Sequence, residues 1–258
     1  MSQSALLTVF ASSAATPASG LYAALFASLG ATGCVMDTLA NPPLLSNGGA
    51  VAVNGDPVGY VADGAGTGVA FEQTTSGAKP ILVVTNGIPA IRLGSGIDFP
   101  ALMSKPGDDT SSTMVFVFRP TAGDQTIGMH YYGGGNAWVG EDGSHWGGDL
   151  YAAVLEIRAR YTSATPGTPF IVVVTFDARV LPRVCTLRVY SMAGTELYNG
   201  AGTIPIPITY GTQFTLGYSG ASPQFQIAFA LFATAVIESA DRDAVVADLV
   251  ARYGGWYA

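Results

Sequence analysis

Charge is scarce in this chain. Asp, Glu, Lys and Arg make up 11% of its 258 residues, whereas roughly a quarter is usual in soluble domains. This composition excludes a coiled coil, a long charged helix and a disordered polar tail. Only two lysines are present, the nine arginines are dispersed, and the net charge is −7. We therefore expect no nucleic-acid partner, because such a binding face needs clustered basic side chains.

Cysteine and histidine are rarer still. Cys34 and Cys185 are the only cysteines, and His130 and His145 are the only histidines. The sequence holds no CxxC pair and no Cys/His cluster, so we expect no structural zinc site. The two cysteines could form one disulfide, but we expect two buried thiols because small thiols are common in cores.

Sequence signatures of hydrolytic enzymes are also missing. No G-x-S-x-G segment surrounds a serine, although nucleophilic hydrolases of the α/β type need that turn. Sugar hydrolysis uses two facing carboxylates. Glu156 lies in a strand pattern, but the neighbouring positions on its strand face hold Arg158 and Arg160. We therefore expect no enzymatic activity.

Glycine-rich and aspartate-containing segments predict turns. Residues 64–68 and 133–135 lead into strand-like sequence, whereas a phosphate cradle leads into a helix. Loop aspartates can bind calcium when several converge, but the spacing here lacks the D-x-D-x-D-G pattern. We expect no cofactor, and calcium binding stays open as an alternative to solvated turn carboxylates. The aspartates concerned are Asp56, Asp63, Asp108, Asp109 and Asp142.

The first 36 residues carry no charged side chain. Polar residues interrupt their apolar runs before a membrane span accumulates, and no basic segment precedes them as in a secretory signal. They are either short segments of the domain or an arm that packs on a neighbouring chain. A folded monomer of this mass exposes roughly 10,700 Å² of surface. Because so few charged side chains cover that area, we expect part of it to be buried against neighbouring chains. We divide the chain into residues 1–36, a possible assembly arm, and a domain of residues 37–258.

Strand patterns dominate after residue 80. Apolar or alternating runs are separated by turn residues at intervals of about 8–15 residues, which is typical of a β-sandwich or barrel. Phe170–Phe176 is nearly all apolar, as expected for a strand covered on both faces. The Asn86-Gly87 pair predicts a turn between two of these strands. Residues 239–253 predict the one convincing helix, with Ser239 as its N-cap and Gly254 as the residue that ends it. The apolar stripe of this helix consists of Val245, Val246, Leu249, Val250 and Tyr253.

Aromatic and polar side chains concentrate between His130 and Asp149 among several glycines. Exposed rings beside hydrogen-bonding groups are typical of sugar-binding surfaces. The alternative is that these rings pack under a long hairpin or against a neighbouring subunit. The candidate ligand-binding residues are Tyr131, Tyr132, Asn136, Trp138, Asp142, His145 and Trp146.

A family resemblance rests on segments that follow one another in a fixed order: Gly55–Gly68, Ala70–Thr74, Lys79–Leu82, Gly87–Leu93, Phe170–Asp177, Cys185–Tyr190 and Ile227–Gly254. Together they resemble concanavalin A-like (laminin G-like) jelly-roll domains. Asp63 matches the aspartate of the family's opening segment, whereas Ala65-Gly66-Thr67-Gly68 departs from it because the family often has an asparagine there. The resemblance implies an all-β fold, a concanavalin A-like jelly-roll β-sandwich with one C-terminal helix.

Domains with this opening segment are similar to phage and prophage structural proteins, including tail fibres, appendages and capsid-surface decoration proteins. The resemblance therefore implies a non-enzymatic bacteriophage virion protein that is assembled in the host cytoplasm. Its partners would be other virion proteins, copies of itself and host-surface glycans, without membrane insertion. The alternative is a carbohydrate-binding, lectin-like module. A glycan-cleaving enzyme is the least favoured reading because the carboxylate pair is missing.

Overall fold

Antiparallel strands make up most of the computed structural model, which describes residues 18–93, 99–102, 110–120, 129–131, 135–142, 145–152, 155–161, 167–204, 213–216 and 225–257. Two α-helices occur in these ranges, α1 (Ala18–Leu29) and α2 (Ser239–Tyr253). The strands are β1 (Gly33–Asp37), β2 (Tyr60–Val61), β3 (Phe71–Glu72), β4 (Ile81–Thr85), β5 (Ile88–Leu93), β6 (Phe99–Leu102), β7 (Ser112–Pro120), β8 (Met129–Tyr131), β9 (Gly135–Asp142), β10 (His145–Ala152), β11 (Leu155–Tyr161), β12 (Phe170–Asp177), β13 (Arg183–Ser191), β14 (Glu196–Ile204), β15 (Gln213–Leu216) and β16 (Phe225–Ala233).

The strands form two facing layers. The first is an eight-stranded sheet in the order β14-β13-β12-β7-β16-β5-β4, in which β1 also pairs with β16. The second is a five-stranded sheet in the order β2-β3-β6-β15-β8. A three-stranded sheet, β11-β10-β9, continues from β8, and β10 and β11 approach β13. The predicted β-sandwich with a C-terminal helix is thus confirmed.

Aromatic side chains hold the two layers together. Phe71 of the five-stranded sheet lies 5.8 Å from Phe99 and 6.1 Å from Phe214, measured between ring centroids. Phe214 in turn lies 5.3 Å from Phe232 of the eight-stranded sheet. Such offset and edge contacts add to the free energy gained by burying the rings. The inner faces of both sheets therefore share one core.

A second core covers the outer face of the eight-stranded sheet. Alternate residues of its central strands, including Val115 and Ile171, point away from the sandwich and pack under α1 and α2. Phe170–Phe176 is therefore covered on both faces, as predicted. The apolar stripe of α2 is also confirmed, because Val245, Val246, Leu249 and Tyr253 are buried.

The first helix, α1, was not predicted. It buries Leu21, Tyr22, Leu25 and Phe26 on one side. Its sequence has no charge and consists mainly of small and apolar residues, so no polar stripe marks its outer side as in a typical surface helix. Strand β1 pairs with β16. Residues 18–37 therefore pack on the domain through both the buried side of α1 and the pairing of β1. The first 17 residues lie outside the described residues, and their assembly role stays a prediction.

The ends of α2 differ from the expected caps. Glu238, not Ser239, is the N-cap residue, and its side chain makes no capping hydrogen bond. Gly254 adopts a right-handed φ of −56° instead of the left-handed conformation typical of a glycine that ends a helix. The chain consequently continues as a 3-10 turn over Gly254–Tyr257. This turn buries Trp256 against the outer sheet face.

A buried ion pair joins both ends of the described chain. Asp37 ends β1 and is fully buried. It accepts hydrogen bonds from Arg252, and the Tyr253 hydroxyl donates to it at 2.8 Å. Arg252 also binds Asp248 at 2.8 Å and lies 3.0 Å from the Tyr22 hydroxyl. The cluster therefore fastens β1, α1 and α2 to one another.

Burial also fixes the protonation state of the tyrosines in this cluster. Desolvation raises the pKa of Tyr22 and of Tyr253 well above its ordinary value near 10. Both hydroxyls therefore keep their protons and can donate to the carboxylates. The Arg252 guanidinium lies over the Tyr253 ring, 5.2 Å from its centroid, which adds a cation–π attraction.

Asp63 fixes the glycine-rich turn onto β1. Its Oδ1 accepts from the backbone N–H of Val35 at 2.8 Å and of Ala65 at 3.0 Å. Its Oδ2 accepts from the Thr67 hydroxyl at 2.7 Å and from the Thr67 backbone N–H. Gly66 and Gly68 have φ values of +72° and +82°, which glycine adopts without strain. Residues 64–68 are thus a turn, as predicted.

The two cysteines, Cys34 and Cys185, are buried thiols and form no disulfide, as predicted. Burial raises the pKa of the Cys34 thiol well above its usual value, which disfavours the reactive thiolate. Among the described residues, no helix combines the length and apolar character needed to cross a bilayer.

Replacing Asp37 should test the buried ion pair. Asp37→Asn removes the fully buried charge that Arg252 and Tyr253 face and leaves Asp248 as the remaining carboxylate partner of Arg252. We therefore expect a loss of about 1.5–3 kcal/mol in the free energy of unfolding. The matched control is Asp243→Asn, because Asp243 pairs with Arg242 at an exposed position and should matter by less than about 1 kcal/mol. Chemical denaturation measures both values. Equal losses in the two variants would show that the buried ion pair contributes no more to the free energy of unfolding than an exposed one.

Replacing Asp63 should distinguish a structural carboxylate from a calcium ligand. Asp63→Ala leaves several backbone donors unmatched, so we expect a loss of at least about 2 kcal/mol. Asp56→Ala is the control, because Asp56 accepts one exposed bond, from Val53. The loss should be the same in excess calcium and in excess chelator. A wild-type melting temperature that rises with calcium, and no longer does so in Asp63→Ala, would contradict this role.

Candidate functional site

The predicted aromatic stretch occupies β8, β9 and β10. Tyr131 ends β8. Asn136, Trp138 and Asp142 lie on β9. His145 and Trp146 lie on β10. Tyr132 falls outside the described residues.

The register of β9 and β10 shows which of these positions are neighbours. Asp142 pairs directly with His145 at the end of the hairpin, and Trp146 pairs with Glu141. Trp138 pairs with Asp149 further along the same two strands. The backbone therefore gathers most of the predicted residues on one hairpin. Whether they form a ligand surface stays a prediction.

A polar cleft lies on the five-stranded sheet, where the sequence did not predict a site. Its volume is about 480 Å³, within the range of roughly 300–1,000 Å³ for small-molecule sites. One aromatic ring, one carboxylate and several amide or hydroxyl groups line it. The lining residues are Asn47, Tyr60, Gly68, Val69, Ala70, Glu72, Gln73, Thr74 and Pro100.

Strand pairing places the central residues of this cleft. Tyr60 on β2 pairs directly with Glu72 on β3. Phe71, the residue before Glu72, pairs with Ala101 on β6, and both are fully buried in the core between the sheets. Because successive side chains of a strand point to opposite faces, Glu72 and Pro100 point to the outer face. The cleft therefore lies outside the sandwich, over β2, β3 and β6.

Hydrogen bonds from neighbouring segments shape the walls of the cleft. The Lys79 ammonium donates to the backbone carbonyl of Leu45 at 2.7 Å, which holds the loop that carries Asn47. The backbone N–H of Gln73 donates to the Gly59 carbonyl at 2.9 Å. The Gln73 side-chain oxygen accepts from the Thr75 backbone at 2.9 Å. Gln73 thus lies fixed and buried, whereas Asn47 and Glu72 are exposed at the rim.

This combination of groups suits a polyhydroxylated ligand. The Tyr60 ring offers an apolar face beside the Glu72 carboxylate, which makes no hydrogen bond or ion pair with the rest of the described chain. Carboxylate and amide groups together accept and donate hydrogen bonds. Glu72 is the single carboxylate among the lining residues. Among the described residues that line the cleft, the pair of acids that glycoside hydrolysis uses is therefore missing.

The loop aspartates that the structure describes do not converge on a cation site. Asp56 accepts from the Val53 backbone at 2.9 Å, Asp142 is part of β9, and the oxygens of Asp63 are occupied as described above. Asp108 and Asp109 lie outside the described residues. Within the ranges that the structure describes, no group of three or more His, Cys, Asp or Glu residues could hold a metal ion.

Comparisons with known proteins identify the fold. No protein-family model and no curated protein matches the sequence. Similar solved structures include an arabinofuranosidase in complex with arabinofuranosyl-alpha-1,2-xylobiose (TM-score 0.53, 14% identity, covering 76% of this chain and 51% of that chain). Another is the Trypanosoma rangeli sialidase (TM-score 0.51, 11% identity, covering 86% of this chain and 33% of that chain). The chain spans about half the length of the former and a third of the latter. At these identities the likeness shows a shared β-sandwich fold alone.

Proposed function

We propose that this chain is a non-enzymatic carbohydrate-binding module that holds an uncharged sugar in the cleft over β2, β3 and β6. The observation that carries the proposal is the convergence of Tyr60, Glu72 and the exposed Asn47 amide in that cleft. An aromatic face packs against the C–H face of a sugar, and the neighbouring carboxylate and amide bind its hydroxyls. The exposed Glu72 and the net charge of −7 disfavour an anionic ligand at this place.

Binding is favoured over catalysis because the described lining of the cleft contains one acid. Both retaining and inverting glycosidases position two carboxyl groups on either side of the scissile bond. The described neighbours of Glu72 supply an amide, a hydroxyl and a tyrosine instead. The arabinofuranosidase with a similar fold was solved with a bound arabinofuranosyl-xylobiose, which gives a precedent for sugar as the ligand class. The proposal itself rests on the cleft.

The proposed setting of this module is the surface of a bacteriophage virion. It is supported by the sequence resemblance to phage structural proteins and by the low charge of the chain, which favours contacts with neighbouring subunits. In this setting the module would contact host-surface glycans while other faces contact virion proteins. Immunogold labelling of purified particles tests it, and particles without label would contradict it.

Glycan-array binding by the isolated protein tests the cleft. Tyr60→Ala removes the ring and Glu72→Gln removes the charged acceptor, so we expect each to weaken binding roughly tenfold or more. Val53→Ala is the matched control, because Val53 is an exposed apolar residue away from the lining set. Unchanged melting temperatures would show that the variants fold.

The same experiment separates the cleft from the predicted hairpin surface. Trp138→Ala on β9 should leave binding unchanged if the sugar occupies the cleft. Loss of binding in Trp138→Ala with full binding in Tyr60→Ala would refute the cleft and favour the hairpin. Release of sugar fragments from a bound glycan, abolished by Glu72→Gln, would contradict the non-enzymatic assignment.

A further inference from the structure

A glutamine lies between two arginines on the outer face of the eight-stranded sheet. Gln226 on β16 pairs directly with Arg92 on β5 and with Arg119 on β7. Its neighbours Phe225 and Ile227 are fully buried in the core between the sheets. Because strand residues alternate between faces, Gln226 and its two partners point to the opposite side.

Gln226 has an unused acceptor. Its side chain is only 7% exposed, and its Oε1 has no hydrogen-bond partner within the described part of the chain. A buried acceptor without a donor destabilises a protein by about 1–3 kcal/mol and is rare in native structures. This oxygen can therefore gain a hydrogen bond from a ligand that carries a hydroxyl or an N–H group.

The two arginines lack carboxylate partners among the described residues. Arg92 is exposed, and Arg119 directs its Nε to the Gly167 carbonyl at 2.9 Å. By contrast, Arg179, Arg188 and Arg252 each bind a carboxylate. The strands of Arg92 and Arg119 are separated by one strand, so their backbones lie roughly 10 Å apart. Two positive charges without a carboxylate partner in the described ranges thus flank Gln226, in a chain whose net charge is −7.

We propose that Arg92, Gln226 and Arg119 bind a carboxylated sugar such as a uronate. The planar guanidinium matches a carboxylate with two parallel hydrogen bonds. A neighbouring hydroxyl of the same sugar donates to the Gln226 oxygen. Sulfate supplies the charge without that donor, and glucose supplies hydroxyls without the charge. This site lies on the eight-stranded sheet, whereas the cleft lies on the five-stranded sheet. The test of this site is therefore independent of the test of the proposed function.

Chemical-shift titration of the full chain at constant ionic strength tests this site. Glucuronate should bind at least tenfold more tightly than glucose or sulfate. Arg92→Gln and Arg119→Gln should each weaken glucuronate binding at least tenfold. Arg179→Gln is the matched control, because it removes one exposed positive charge elsewhere, and Tyr60→Ala checks independence from the cleft. Both should leave glucuronate binding unchanged.

A further variant isolates the role of the glutamine. Gln226→Met keeps the size of the side chain and removes the unused acceptor, so the domain should stay folded. This variant should lose the preference for glucuronate over sulfate. The proposal is overturned if glucuronate does not bind, if it binds equally well to Arg92→Gln, or if sulfate competes equally well in the wild type.

Discussion

The ion pair between Asp37 and Arg252 is the contact on which the arrangement of the chain ends depends. A carboxylate with no exposed surface is tolerated only when charged and neutral donors surround it. Arg252 and the Tyr253 hydroxyl supply such donors, together with the backbone N–H groups of Leu39 and Ala40. Both side-chain donors come from the last turn of α2, so the C-terminal helix must close over β1.

Strand β1, which the Asp37–Arg252 ion pair connects to α2, also supports the turn beside the candidate site. Val35 of β1 donates its backbone N–H to Asp63, and Gly33 accepts a hydrogen bond from the Thr67 hydroxyl at 3.0 Å. The turn held in this way leads directly into Gly68, Val69 and Ala70, which form one wall of the cleft. The cleft is therefore formed by paired strands and by a turn whose carboxylate, Asp63, accepts hydrogen bonds at both oxygens. Such support is what a preformed ligand site requires.

Local sequence patterns were sufficient to predict the sandwich. The Asn86-Gly87 pair predicted a hairpin turn, and both residues have positive φ values, 51° and 78°, as the favoured two-residue turn requires. The apolar stripe of α2 predicted its buried face. By contrast, α1 has an almost continuously apolar sequence without a polar stripe. Its position depends on packing against sheet and helix residues that are distant in the sequence.

The sites were harder to predict because their residues come from separated segments. Asp37 and Arg252 are 215 positions apart, and no short motif links them. The cleft combines one tyrosine with residues from a loop and from two further strands, whereas a search for aromatic density favours the His130–Asp149 stretch. Gln226, Arg92 and Arg119 become neighbours only through strand pairing. Sequence reasoning therefore predicted the architecture, but not the position of the cleft.

Amide chemical-shift mapping with a glycan that binds the isolated protein distinguishes the cleft from the β9–β10 hairpin as the sugar site. We expect saturable shifts at Tyr60, Glu72, Gln73 and Thr74, which line the cleft over β2 and β3. Amides of the β9–β10 hairpin should remain unperturbed. Shifts confined to Gly135–Ala152, with none at Tyr60 or Glu72, would contradict the account and place the glycan on the hairpin.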